Sequence, residues 1–183
     1  NFLLSQGEKY DPAPPIVFVD EDKGAEIVVR AGGGNYLALE NGQPTGFNPL
    51  QCERTDANVQ FLADLLKVLC GKAEYTARED EDIFRAVENM LDTPMHLRTL
   101  TNLQKSLPNM GDDSLYARIR KWTTGNSLGW VFDNPRDTVD LTRANIIGFD
   151  YTDIIDNAEV RVPVINYLLH RLDVALYGGE LAG

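Results

Sequence analysis

Cysteine, histidine and long apolar runs are all scarce in this sequence. Cys52 and Cys70 are its two cysteines. They are too few to staple 183 residues, so each reads as a small buried hydrophobe with a free thiol in a reducing compartment. His96 and His170 complete the soft ligands, and no C-x-x-C or H-x-x-x-H spacing exists to build a zinc site. No stretch approaches the roughly 20 apolar residues that cross a bilayer, and Asn1 to Gln6 lacks the basic start and apolar length of a signal peptide. Positive charge is short as well: 17 Lys and Arg stand against 28 Asp and Glu, a net charge of −11. That balance argues against a whole surface given over to phosphate neutralisation and leaves room for a local basic strip, so nucleic acid is not indicated by charge as a partner. The chain reads as cytoplasmic with no transmembrane segment.

What remains is ordinary globular usage, 43% hydrophobic and 25% charged, which excludes disordered and fibrous classes. Asn1 to Gln6 has helical composition but no capping residue, and Gly7 closes it. It reads as the tail of a helix begun upstream, and Gly178 to Gly183 as a loop leading onward, so the chain is expected to be an interior piece of a longer protein.

Tyr10 to Pro15 is a stiff, proline-rich connector. Ile16-Val17-Phe18-Val19 is a continuous apolar run, the pattern of a strand buried on both faces of a parallel sheet. It ends in Asp20-Glu21-Asp22-Lys23-Gly24, which puts carboxylates where open α/β sheets place their chemistry. A short helix over Ala25 to Arg30, a glycine run at Gly32 to Gly34 and a strand over Tyr36 to Leu39 follow, with a turn at Asn41-Gly42.

From Thr55 to Thr123 the periodicity becomes helical. Val59, Leu62, Leu65, Leu66 and Leu69 share one helix face. Thr76-Ala77-Arg78-Glu79 is a capping box that opens a second helix with Ile83, Val87, Met90 and Leu91 as its buried stripe. Asp113 or Ser114 starts another through Trp122, and Pro94 and Pro108 mark breaks. Strand composition returns at Gly129 to Phe132 and at Ile146 to Asp150. The last helix carries Val162, Ile165, Leu168, Leu169, Leu172 and Leu176 as an apolar ladder, with Pro163 read into its first turn. The expected organisation is an α/β core over 1–54, a helical subdomain over 55–125 and a return to the core over 126–183.

Several motifs are imitated but incomplete. Ile16 to Glu21 has the form of a Walker B strand, yet no G-x-x-x-x-G-K-[ST] loop occurs. Gly71-Lys72 is followed by Ala73, with Leu66 where the first glycine belongs. Asp20 to Gly24 departs from a calcium loop because its fifth position is glycine. No G-x-S-x-G elbow supports a nucleophile, and His170 reads as a structural histidine. Glu79 to Asp82 reads as a solvated helix cap, and Arg118 to Trp122 is the one dense basic and aromatic cluster. No metal ligands are assigned.

Taken in order, Phe18 to Ile27, Gly34 to Leu39 and Pro44-Thr45-Gly46-Phe47-Asn48-Pro49-Leu50 resemble the TrbE/CagE family of conjugation and type IV secretion ATPases, the fourth component of the VirB system. Gly129 to Asn134, Gly148 to Asp153 and the Pro163 to Arg171 helix are similar to further blocks of that family. The resemblance is weak through the helical insert. It implies an α/β fold, a partial RecA-like P-loop NTPase core with an inserted all-helical subdomain, in which Asn1 to Gln6 ends the helix after Walker A and the Walker B strand begins after Gly183. It also implies ATP and Mg²⁺ as cofactors of the full-length parent. Asp20, Asp22 and Lys23 would face the phosphates, with Asp22, or failing it Glu21, orienting the attacking water. The implied setting is peripheral to the bacterial inner membrane, with other type IV secretion components as partners and a homo-oligomer, a hexamer, in the full-length protein. This chain alone is expected to be inactive. Two other readings stand beside this one: a DNA-pumping motor of the FtsK or coupling-protein kind, and a helical protein-binding module that uses no nucleotide. The missing core strands would leave Ile16 to Val19 and Ile146 to Phe149 with unpaired edges or apolar patches.

Overall fold

In chain order the elements are strand β1 (Ile16–Asp20), helix α1 (Glu26–Ala31), strand β2 (Asn35–Ala38), helices α2 (Asp56–Cys70), α3 (Ala77–Leu91), α4 (Leu100–Ser106), α5 (Leu115–Ile119) and α6 (Gly129–Phe132), strand β3 (Ile146–Asp150) and helix α7 (Ala158–Tyr177). Tight 3-10 turns occur at Met95–Leu97, Arg120–Trp122 and Thr152–Ile154. This computed structural model describes residues 16–20, 24–139 and 146–177, with only the backbone of Val17, Val19, Asp20, Leu176 and Tyr177. The readings made above for residues 1–15, 21–23, 140–145 and 178–183 lie outside the described residues. The chain divides into two compact units, Asn1–Asn41 with Asp140–Gly183, and Gly42–Val139.

The first unit is built on a parallel sheet in the order β1-β3-β2. Ile146 to Asp150 pair with Ile16 to Asp20 on one side, and Ile147 to Asp150 pair with Asn35 to Ala38 on the other. All five residues of β3 are buried, as an unbroken apolar run in the middle of a parallel sheet requires. The expectation of an unpaired edge at Ile146 to Phe149 is thereby corrected. That run is the central strand, paired on both sides, and β1 and β2 flank it among the described residues. Gly148 lies opposite Phe18 and Tyr36, and a methyl group at its Cα would run into the Tyr36 ring and the Val29 side chain. Helix α1 delivers Val29 to that place, and Val29, Tyr36 and Ile146 form a core with Phe18 and Ala25 packed against it.

Helix α7 begins earlier and turns a different face inward than the sequence predicts. The Asn157 carbonyl accepts from the Val160 and Arg161 amides, at 3.0 and 2.8 Å. Val160, Pro163, Val164 and Tyr167 are buried, whereas Val162 and Leu169 are 45% and 56% exposed. Pro163 therefore sits inside the helix and not in its first turn. It can offer no N–H to the carbonyl of Glu159, four residues back.

The second unit is helical. Thr55 caps α2 by accepting from the Asn58 amide at 3.1 Å, and Gly71 ends it at φ 63°, the left-handed cap that glycine adopts without strain. Leu62, Leu65, Leu66 and Leu69 are its buried face. The capping box at Thr76 and Glu79 forms as read, and Ile83, Val87, Met90 and Leu91 are buried beneath it. Trp122 is buried, donates from Nε1 to the Leu69 carbonyl at 2.9 Å, and meets the Phe132 ring at 6.1 Å between centroids.

One element changes type. Gly129 to Phe132, whose composition predicts a strand, folds as the short helix α6. Four apolar residues carry no period that separates the two states. Local closure decides it: the Asp133 amide reaches back to the Gly129 carbonyl at 3.2 Å. Gly129 has no room for a side chain against the Thr123 backbone, so helix and preceding turn pack tightly.

Candidate functional site at the carboxyl edge of the sheet

In a parallel sheet every strand ends on the same edge, and open α/β folds bind ligands there. The register brings the Cα of Asp20, the last residue of β1, beside that of Asp150, the last residue of β3, with Ala38 of β2 on the far side of Asp150. Two of the three strands thus end in aspartate at one level. Adjacent strands lie about 4.8 Å apart.

Asp150 is 2% exposed. Its Oδ1 accepts from the Thr152 amide at 2.9 Å and from the Thr152 hydroxyl at 2.5 Å. Its backbone carbonyl accepts from the Leu39 amide at 2.9 Å, just past the end of β2. One residue therefore ties the exits of β2 and β3.

Of the residues singled out from the sequence, Asp20 is placed at this edge through its backbone, while Glu21, Asp22 and Lys23 lie outside the described residues. Asp150 carries the same sequence signal as the end of β1, an apolar run closed by aspartate, but stands without an acidic run after it.

The charged motifs of the helical unit are engaged in packing. Lys72 bridges to Glu79; together with the Thr76 backbone it holds the Glu79 carboxyl well below its usual range, at about 2. Asp80 pairs with Lys67 at 3.0 Å, and buried Asp82 with Arg85. The run Glu79 to Asp82 is therefore more than a solvated cap: Lys67 of α2, Lys72 of the α2–α3 connection and Arg85 of α3 itself each pair with one of its carboxylates. In the basic cluster, Trp122 is interior and Arg118 pairs with Asp113 while reaching the Cys70 carbonyl. Cys70 is a free thiol whose burial pushes it up to about 12, and burial moves the His170 pKa down against the opposing pull of Asp173. Among the described residues no group of three or more His, Cys, Asp or Glu is placed to hold a metal ion, and no helix is long and apolar enough to cross a membrane.

No family model matches the chain. Its curated relatives do. It is 43% identical over 175 residues to type IV secretion system protein virB4 of Bartonella henselae, covering 94% of this chain and 22% of that protein. Against PtlC of Bordetella pertussis it is 38% identical over 192 residues, 97% of this chain and 23% of the relative. For virB4 of Brucella abortus the figures are 37% over 195 residues, 97% and 24%. Among solved structures, VirB4 of Thermoanaerobacter pseudethanolicus superposes with a TM-score of 0.69 at 16% identity, over 93% of this chain and 50% of that one. The chain spans roughly a fifth to a quarter of the length of the curated relatives it matches. From the blocks around both aspartate-terminated strands to these alignments, the chain belongs to the VirB4/PtlC family of type IV secretion proteins, as the counterpart of one segment of them.

Proposed function

We propose that this chain is a segment of the nucleotide-hydrolysing domain of a type IV secretion ATPase, a partial RecA-like core whose helical subdomain is inserted between two of its strands. The observation that carries this is the parallel sheet with Asp20 and Asp150 abreast at its carboxyl edge, in a chain aligned over nearly its whole length with VirB4 proteins. The relatives named above do not favour the DNA-pumping or binding-module alternatives.

The residues present fit a magnesium nucleotide on one side only. Carboxylates at the strand ends suit the water side of the phosphates, whereas the triphosphate itself needs a glycine-rich loop of backbone N–H groups with its lysine, which this sequence does not contain. Mg²⁺, when bound, neutralises charge on the phosphate oxygens. In this reading Asp22, or failing it Glu21, would orient the attacking water, and Asp20 and Lys23 would face the phosphates. In this reading the full-length parent assembles as a homo-oligomer, a hexamer, at the inner face of the bacterial inner membrane, and works with other secretion components. The 183-residue chain alone does not turn over ATP.

The test is ATP hydrolysis and nucleotide binding by the full-length parent and its Asp22→Asn and Glu21→Gln variants. Loss of a water-positioning acid is expected to lower kcat about 100-fold with binding retained. A parent that neither binds nor hydrolyses ATP would end the proposal, and unchanged kcat in both variants would remove the roles given to these two acids.

A further inference from the structure

We propose that Asn41 is a modification site: its side-chain amide is lost to the backbone nitrogen of Gly42, which leaves aspartate or isoaspartate where the chain passes from one compact unit to the other.

Asn41 and Gly42 stand at the boundary itself. The stretch that opens the first unit ends at Asn41, and the second unit begins at Gly42. Both residues lie in an exposed turn, the local structure that this dipeptide favours. Gly42 has a φ of 80°, and a side chain built on it would meet nothing within 4 Å. Among the described residues neither the Asn41 side chain nor the Gly42 amide takes part in a hydrogen bond.

The chemistry is a ring closure between neighbours. The Gly42 amide nitrogen, having given its proton to hydroxide, attacks Cγ of Asn41. The N–Cγ bond forms, the Cγ–Nδ2 bond breaks, and ammonia leaves with a proton returned by water, which gives a five-membered succinimide. Water then opens the ring. Addition at Cγ yields aspartate, whereas addition at the main-chain carbonyl carbon yields isoaspartate, whose backbone runs through Cγ and is one carbon longer. The sum is one water consumed and one ammonia released, with no oxidant or reductant. Because the attack is intramolecular, its rate is set by how freely the two atoms meet. A free side chain, an unshared N–H and the absence of a Cβ on the following residue each widen that approach.

The other asparagines show what withholds it. Asn48 and Asn134 are buried and precede proline, which has no N–H to give. Asn126 donates to the Thr123 hydroxyl at 3.0 Å and precedes Ser127. Asn109 is exposed like Asn41, but it precedes Met110, whose Cβ crowds the nitrogen. Asn41 alone is followed by glycine. Its conversion places a second carboxylate beside Glu40 in a chain already at −11.

The experiment incubates the folded full-length parent at pH 8 and 37 °C. Peptide mass mapping reads deamidation, and methyl transfer by an isoaspartyl methyltransferase reads the isoaspartyl form. A free peptide with the sequence of Ala38 to Thr45 sets the unhindered rate. Asn41 in the parent is expected to convert within about threefold of that peptide, and Asn109 and Asn126 at least about tenfold more slowly than Asn41. Gly42→Ala is expected to slow the conversion about tenfold, and Asn41→Gln to remove the isoaspartyl signal from this turn, with thermal melts to show that both variants fold. A parent in which Asn41 stays intact while the peptide converts overturns the proposal. So does conversion of Gly42→Ala at the wild-type rate, or of Asn109 as fast as Asn41. If Gly42→Ala does not fold, the comparison of parent with peptide decides alone.

Discussion

Asn48 and Asn134 hold each other's chain. The Asn48 side-chain amide donates to the Asn134 carbonyl at 2.7 Å and to that of Arg98 at 2.9 Å, and its Oδ1 accepts from the Leu50 amide. Asn134 returns the bond through Nδ2 to the Phe47 carbonyl at 3.0 Å. Both are buried. The stretch Phe47–Leu50 and the end of α6, far apart in sequence, are thereby fixed without any regular ladder between them.

Removing either side chain takes a donor away from carbonyls in the interior. Asn134→Ala and Asn48→Ala should each destabilise the chain by about 2 kcal/mol, read as a lower urea midpoint with unchanged slope. Midpoints within error of wild type for both would mean that water replaces the lost donors.

Gly148 sits in the middle of the central strand with the Tyr36 ring and Val29 against it. Gly148→Ala should cost about 1 to 3 kcal/mol through overpacking, and pairing it with Tyr36→Leu should recover part of that loss. Thermal melts of the two variants and the double variant test this. Strict additivity would count against the contact.

Lys72 and the Thr76 backbone lower the Glu79 carboxyl to about 2 from 4.5. A carboxyl depressed in the folded state adds stability above its unfolded value, and that stability is lost as pH falls from about 4.5 towards 2. With side chains 17% and 20% exposed, the pair is worth about 1 kcal/mol. Glu79→Gln should lower stability at pH 7 by that amount and leave it unchanged near pH 2. An equal loss at both pH values would point to packing and not to charge.

The two thiols should separate chemically. Cys70 is buried and its pKa stands at about 12, so almost none is thiolate at pH 8, while Cys52 is only half-buried. Alkylation at pH 8, followed by peptide mass mapping, should label Cys52 first and Cys70 only on unfolding. Equal rates in the folded protein would contradict the burial of Cys70.

Signals that act over a few residues were legible in the sequence. The capping box at Thr76 and Glu79, the Ser114 start of α5 and the strands at Ile16 and Ile146 each follow from a neighbourhood of four to six residues. Features set by distant partners were not. That β3 lies between β1 and β2 depends on pairing across the helical unit, and the inward face of α7 depends on what Val160 and Tyr167 meet. The run of four at Gly129 was too short to show a period, and its helical closure rests on Asp133. At the candidate site, Asp20 was found because a whole acidic run follows it. Asp150 was missed because it stands alone, and only the register sets it beside Asp20.

The strand order has a consequence for how the chain is made. Among the described residues β1 and β2 each pair with β3, and that strand is synthesised only after all of 42–139. The helical unit, rich in local contacts, can mature in that interval, and the sheet closes late, through pairings of long sequence separation that are slow to find. Until then β1 and β2 lack the strand that lies between them, so an early stop in synthesis before Ile146 would separate two strands that the finished sheet joins.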